Sequence, residues 1–155
     1  MENKSTIRPV ITLYQPWATW IMRGWKLIET RTHNKFKSLK GKRILIHAGL
    51  RTDESAAHNS YLTKEQILYK PDDVINGYII GECLVQDFGK LDDSHSKLAL
   101  IDCGSVERWG LFLNEIMMLE APISVKGEMG IWYFDLESKS KVKKKTYQAA
   151  TLFGL

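Results

Sequence analysis

The chain has 155 residues, which is enough for one domain with its own hydrophobic core and too few to predict two. Its 44% hydrophobic and 26% charged residues are typical of folded globular proteins and exclude the disordered and fibrous classes. The net charge of +4 favours polyanions such as nucleic acid, but five of the 22 basic residues lie in the run KSKVKKK at 139–145, which is more typical of a solvated end than of a specific reader.

The N-terminal part predicts a strand followed by a short helix. After a polar start at 1–9, the β-branched run VITLY at 10–14 is typical of a strand. Proline is favoured in the first turn of a helix and glycine often follows the last turn. We therefore expect a helix from Pro16 to Arg23 that stops at Gly24.

The next segment, WKLIETR at 25–31, predicts a strand with a charged face. Side chains alternate along a strand, so Leu27, Glu29 and Arg31 share one face. Thr30 lies between the two charged residues in sequence and is expected on the opposite face. The pattern thus places a carboxylate and a guanidinium side by side.

The remaining segments predict further strands with helices between them. Residues 53–69 have helical spacing interrupted by HNS, which fits one broken helix or two short ones. The stretch at 108–125 fits a strand, although 111–119 alone could be helical. Further strands are predicted for RILIHAG at 43–49, for the run after the Asn-Gly turn at 76–77, and for the aromatic IWYFD at 131–135. Without regular βαβ alternation, this order favours an α+β small barrel over a doubly wound sheet.

Two cysteines, Cys83 and Cys103, lie far apart in the sequence and have no metal-binding spacing. We expect them to be buried free thiols in a reducing compartment, and we expect no metal or other cofactor. No apolar run is long enough to span a bilayer, and the polar start lacks the apolar stretch of a signal peptide. These features predict a cytoplasmic protein, or a nuclear one if the host has a nucleus.

The segment QPWATWIMRGWKLIETR at 15–31 has two readings. Its three tryptophans are typical of core packing, and Glu29 with Arg31 could form a surface ion pair of little energetic value. Alternatively, Gln15, Lys26, Glu29 and Arg31 line a pocket that offers acceptors to base amino groups and donors to phosphate or carbonyl oxygens. Nearby aromatics would then stack on a base.

The same segment resembles the ASCH domain (activating signal cointegrator homology domain), a family of the PUA-like superfamily of small β-barrels. It carries the QPWA opening and the G-x-K-x-x-E-x-R pattern as Gly24, Lys26, Glu29 and Arg31. KGKRILIHAG, GYIIGECLV and the stretch from RWGLF to WYFD resemble the later segments of the family in the right order. The resemblance predicts a polar segment at 1–9, an ASCH domain at 10–136 and a lysine-rich tail at 137–155.

The resemblance implies a barrel of about five or six strands surrounded by short helices. It also implies a cleft beside the first helix in which the motif residues gather. The residues expected to bind a ligand there are Gln15, Trp17, Lys26, Glu29, Arg31, His47, Arg108 and Trp109.

Three functions are compatible with such a cleft. The first is binding of RNA, of other single-stranded nucleic acid or of a nucleotide. The second is hydrolysis, with Lys26 and Glu29 as the catalytic pair. One branch of the family removes the acetyl group of N4-acetylcytidine through a Lys-x-x-Thr pair, but Glu29 stands here in place of the threonine, so a water activated by Glu29 or a ribonuclease reaction assisted by His47 would be needed. The third is a protein-interaction adaptor that docks a partner on Trp17 and Trp20.

Overall fold

A computed structural model describes residues 5–68 and 74–143. In these residues, seven strands form one mixed sheet accompanied by three short α-helices and three 3₁₀ turns. The strands are β1 (Ile7–Gln15), β2 (Ile28–Arg31), β3 (Arg43–Thr52), β4 (Tyr78–Lys90), β5 (Trp109–Ser124), β6 (Trp132–Asp135) and β7 (Ser140–Val142). The helices are α1 (Trp17–Met22), α2 (Lys64–Leu68) and α3 (Ser96–Ala99), and the 3₁₀ turns are Lys37–Leu39, Glu54–His58 and Asp93–His95.

The sheet has the order β2-β5-β4-β3-β1-β6-β7 and stays open. The prediction of a closed barrel of five or six strands is therefore wrong in closure and in strand number. Closure requires the two edge strands to pair with each other. Within the described residues, β2 pairs only with β5 and β7 only with β6, so these two strands remain edges.

One pairing differs from all the others in direction. β1 and β3 run parallel, with Val10 opposite Leu45, whereas the other neighbouring strands run antiparallel. The carboxyl ends of parallel strands lie at the same edge of a sheet. The end of β1 at Gln15 therefore lies beside the end of β3 at Thr52.

Helix α1 packs against the sheet. Its residues Ala18, Ile21 and Met22 are buried in the main hydrophobic cluster together with residues of β1, β3, β4 and β5. Gly24 follows the helix with φ of +77°, a left-handed conformation that glycine adopts without steric cost. The predicted helix and its stop at Gly24 are thus confirmed.

The other predicted elements are largely confirmed. Residues 53–69 form two short helical pieces, and the helical alternative for 111–119 is wrong because β5 runs through the whole segment. The strand predicted over 25–31 begins only at Ile28, since the backbone N–H groups of Trp25 and Lys26 both donate to the carbonyl of Trp20. Both cysteines are buried and free, and burial raises the pKa of Cys83 to about 12.

Regular structure extends to both sides of the predicted domain. β1 begins at Ile7, and β7 lies within the segment predicted as a lysine-rich tail. In that strand, the Nζ of Lys141 lies 3.2 Å from the carboxylate of Glu128 and 5.2 Å from the ring centre of Trp132. The rest of the predicted tail, at 144–155, lies outside the described residues. In the described part of the chain, no helix is both long and apolar enough to cross a membrane.

The contact between α1 and β4 requires a residue without a side chain at position 81. A Cβ atom on Gly81 would lie 1.9 Å from the Sδ of Met22 and 2.9 Å from the carbonyl oxygen of Met117. We expect Gly81→Ala to lower the free energy of unfolding by about 1–3 kcal/mol in urea denaturation, because the added methyl group overpacks the core. Gly89→Ala, in the same strand with no heavy atom within 4 Å of the new Cβ, is the matched control. Equal stability of the two variants would contradict this packing.

Candidate functional site

A cleft of about 1050 Å³ opens where β1 and β3 end. It is lined by residues at the ends of these two strands and by the loop 125–130. Residues of β2 and of the turn before β4 complete the wall. The side chains that matter here are Tyr14, Trp17, Glu29, Arg31, His47, Leu50, Arg51, Tyr78, Lys126 and Met129.

Glu29 and Arg31 lie in the cleft wall on β2, as the sequence pattern predicts. Glu29 is 7% exposed, and its Oε1 accepts a hydrogen bond of 2.9 Å from the backbone N–H of Thr30. Its other oxygen, Oε2, is buried and has no hydrogen-bond partner among the described residues. The guanidinium of Arg31 lies 4.6 Å from the ring centre of Phe36, and its Nε is likewise buried without a partner. One acceptor, on Glu29, and one donor, on Arg31, are therefore left without a hydrogen-bond partner two residues apart on β2. Thr30 also contributes to the wall.

Lys26 lies behind the wall of the cleft. It is 2% exposed and donates from Nζ to the carbonyl of Ala99 at 2.5 Å, with the ring centre of Trp17 at 5.1 Å. Burial lowers the pKa of Lys26 from its usual value, and the negative charge of Glu29 acts in the opposite direction. Lys26 thus belongs to the electrostatic surroundings of Glu29, but it does not face the open space.

Gln15 and the tryptophans have mainly structural contacts. Gln15 is 2% exposed and bridges the backbone, accepting from Thr19 N–H at 3.0 Å and donating to the carbonyl of Ile75 at 2.9 Å. Trp17 lines the cleft, while its Nε1 donates to Asp53 at 3.0 Å and its ring meets Trp20 edge to face. The packing interpretation of the tryptophans is therefore supported, with Trp17 serving both the core and the cleft.

His47 holds the loop 125–130 in place through a hydrogen bond. Its Nε2 lies 2.7 Å from the carbonyl oxygen of Val125, which can only accept, so Nε2 carries the proton and Nδ1 is left with a lone pair. Nδ1 is buried without a partner, and the backbone of Gly127 lies so close that a Cβ there would be 2.7 Å from it. Burial lowers the pKa of His47. The ring is neutral and fixes the loop.

Arg108 and Trp109 are not part of the cleft wall. Arg108 donates from Nε to the carbonyl of Asp102 at 2.8 Å, and Trp109 stacks on Phe88 with ring centres 6.0 Å apart. Trp109 does lie opposite Arg31 in the ladder between β2 and β5. Trp109 therefore pairs with the strand that carries the motif. The expected contact of Arg108 and Trp109 with a ligand stays a prediction.

Comparisons with known proteins identify the fold. No family model matches the sequence, and no curated protein matches it significantly. Among solved structures, the crystal structure of ASCH from Zymomonas mobilis is similar at 14% identity with a TM-score of 0.54, covering 93% of both chains. A mutant of the same Zymomonas mobilis protein is similar at 13% identity with a TM-score of 0.52, covering 93% of this chain and 96% of the other. The chain has the ASCH fold. The ASCH fold expected from the sequence motifs is thereby confirmed, although the sheet is not closed into a barrel.

Several cleft residues of this ASCH fold escape sequence reasoning. Tyr14 is the last residue of the first predicted strand, and Leu50 and Arg51 extend the predicted strand at 43–49. The signal that joins them is the parallel pairing of β1 and β3, which the sequence does not reveal. Lys126 and Met129 come from a glycine-containing loop whose position depends on the bond between His47 and Val125. Within the described residues, no group of three or more His, Cys, Asp or Glu side chains is placed to hold a metal ion.

The neutral state of His47 predicts a pH dependence of stability. The lowered pKa means that the unfolded chain binds a proton at this histidine, with a usual pKa of 6.5, before the folded protein does. Stability should therefore fall as the pH drops below the unfolded value. We expect the free energy of unfolding to decrease from about pH 7 to about pH 5 in the wild type, and to decrease less steeply in His47→Gln. Chemical denaturation at several pH values measures both slopes.

The control for this measurement is His58→Gln, because His58 is exposed. It should retain the wild-type slope. If His47→Gln and the wild type lose stability in parallel over this pH range, the buried neutral state of His47 is wrong.

Proposed function

We propose that this protein binds RNA, other single-stranded nucleic acid or a nucleotide in the cleft, with one base held against Glu29 and Arg31. The observation that carries the proposal is the pair of buried, unpartnered atoms, Glu29 Oε2 and Arg31 Nε, in the wall of an open cleft. A buried polar atom without a partner costs about 1–3 kcal/mol, so a ligand that supplies both partners recovers free energy. The likeness to ASCH proteins supports the fold of the proposed site and not its ligand.

The chemistry of the pair favours a base that carries an amino group. A carboxylate oxygen accepts hydrogen bonds only, and a guanidinium only donates. Cytosine offers an exocyclic amino group to the first and a carbonyl to the second, and such a pair of complementary contacts distinguishes it from uracil. The aromatic rings of Trp17, Tyr14 and Tyr78 in the same cleft provide surfaces on which a base can stack.

Glu29→Gln tests this proposal because it keeps the size of the side chain but replaces one acceptor by a donor. We expect affinity for cytidine monophosphate to fall about tenfold, and the preference over uridine monophosphate to shrink or reverse. Isothermal titration with the four ribonucleoside monophosphates measures the ranking. Glu120→Gln, at an exposed position of β5, is the matched control.

Two results would contradict the base contact. One is an unchanged ranking and affinity in Glu29→Gln. The other is loss of binding on truncation after Lys143 while Glu29→Gln behaves as wild type, which would make the end of the chain the binding element.

A hydrolase that uses the same residues is the second candidate. Burial lowers the pKa of Lys26, which lies close to Glu29. A neutral amine can accept the proton of a water molecule that attacks a carbonyl group. Its weakness is geometric, because the Nζ of Lys26 is engaged by Ala99 behind the wall. Incubation with N4-acetylcytidine and mass analysis of the product tests it. Product formed by the wild type and lost in Lys26→Met supports the hydrolase, whereas equal turnover by both removes Lys26 from the reaction.

A further inference from the structure

The outer part of the cleft differs in chemistry from the part that contains Glu29 and Arg31. Three apolar or aromatic side chains are exposed at its rim: Tyr14 is 48% exposed, Leu50 81% and Met129 98%. Single exposed apolar residues are common on protein surfaces, but here three of them border one opening. They come from the ends of β1 and β3 and from the loop 125–130.

Two cations stand among these apolar side chains. Arg51 and Lys126 are exposed in the same rim, and neither has an ion-pair partner within residues 5–68 and 74–143. The other charged rim residue, Glu128, is already paired with Lys141 at 3.2 Å. Among the described residues, the rim therefore presents two positive charges without an ion-pair partner.

The rim is also distant from the base contact proposed above. Along the sheet order, β2 with Glu29 and β3 with Arg51 are separated by β5 and β4. Three strand spacings correspond to about 14 Å along the sheet. The cleft volume of about 1050 Å³ reaches the upper end of the range of about 300–1,000 Å³ for pockets that enclose one small ligand. One base at Glu29 and Arg31 thus leaves the rim unoccupied.

We infer that the rim is a second subsite, and that the cleft prefers a single-stranded nucleic acid of at least two nucleotides to a free nucleotide. This inference rests on the proposed function. The second base lies against Tyr14, Leu50 and Met129, and Arg51 and Lys126 contact the phosphates on either side of it, one of which joins it to the first nucleotide. Apolar and aromatic side chains interleaved with unpaired cations are the combination that single strands require, since bases stack while phosphates seek positive charge.

The test compares the length dependence of binding in the wild type and in the double variant Arg51→Ala/Lys126→Ala. The probes are cytidine monophosphate, the dinucleotide CpC, and a ten-nucleotide single strand of fixed sequence as RNA and as DNA, measured by titration calorimetry and fluorescence anisotropy. We expect the dinucleotide to bind about tenfold more tightly than the monophosphate, and the double variant to lose most of this gain while binding the monophosphate as wild type does.

Salt dependence gives a second readout. Each contact between a cation and a phosphate of a single strand contributes about 0.7 to the slope of log affinity against log salt, so removal of two should reduce the slope by about 1.4. Lys97→Ala, at an exposed lysine of α3 that does not line the cleft, is the control for loss of charge alone. Since the altered residues are exposed, thermal unfolding should show that the double variant and Lys97→Ala are as stable as the wild type. The RNA and DNA arms show which single strand is preferred.

Each result has a distinct meaning. Equal affinity for monophosphate and dinucleotide, with no effect of the double variant, overturns the second subsite but leaves the base contact at Glu29 standing. An equal loss in Lys97→Ala overturns it too, because binding then follows overall charge. If neither monophosphate nor longer strands bind, the proposed function itself fails and the subsite fails with it.

Discussion

The parallel pairing of β1 with β3 is the constraint on which the cleft depends. In an otherwise antiparallel sheet, it places the carboxyl ends of β1 and β3 side by side, and the segment after each strand leaves the sheet at this point. After β1 the chain enters α1 through Gln15, whose amide group is bonded to the backbone on both sides. At its end β3 contains Leu50 and Arg51, and the chain then enters the 3₁₀ turn at Glu54–His58. The opening between these two exits is the cleft.

The burial of polar groups divides the motif residues into two kinds. Gln15 and Lys26 are buried and engaged, with hydrogen bonds to backbone groups that α1 and α3 leave open. Glu29 and Arg31 are also largely shielded, but each keeps one polar atom without a partner in the described residues. Buried polar groups are normally paired, and these two unpaired atoms are therefore the basis of the proposed base contact. Motif membership alone does not distinguish the two kinds.

Local patterns sufficed for much of the fold. The helix from Trp17 to Met22, its glycine stop, and the strands β1, β3 and β4 follow from β-branched runs, turn residues and capping preferences, each of which acts over a few residues. The motif pattern also located Glu29 and Arg31 on one wall. The open sheet and the cleft residues Arg51 and Lys126 could not be predicted because they depend on contacts distant in sequence. The strand β7 forms a local hairpin with β6, but its lysine-rich composition is not typical of a strand. Arg108 and Trp109 lie in a segment that matches the motif pattern, but the pattern did not predict the direction of their side chains, which do not line the cleft.

The two walls of the cleft are held by interactions of very different strength. On one side, β1 and β3 lie inside the sheet and each has a hydrogen-bonded strand on both flanks. On the other side, the loop 125–130 is held by the bond from His47 to Val125 and by the exposed pair of Glu128 with Lys141. Exposed ion pairs contribute about 0–1 kcal/mol, and segments with few buried contacts open locally at far lower free energy than the core of a sheet. The wall formed by β1 and β3 is therefore held by more interactions than the loop 125–130, whose position depends on a few contacts, chief among them the bond from His47 to Val125.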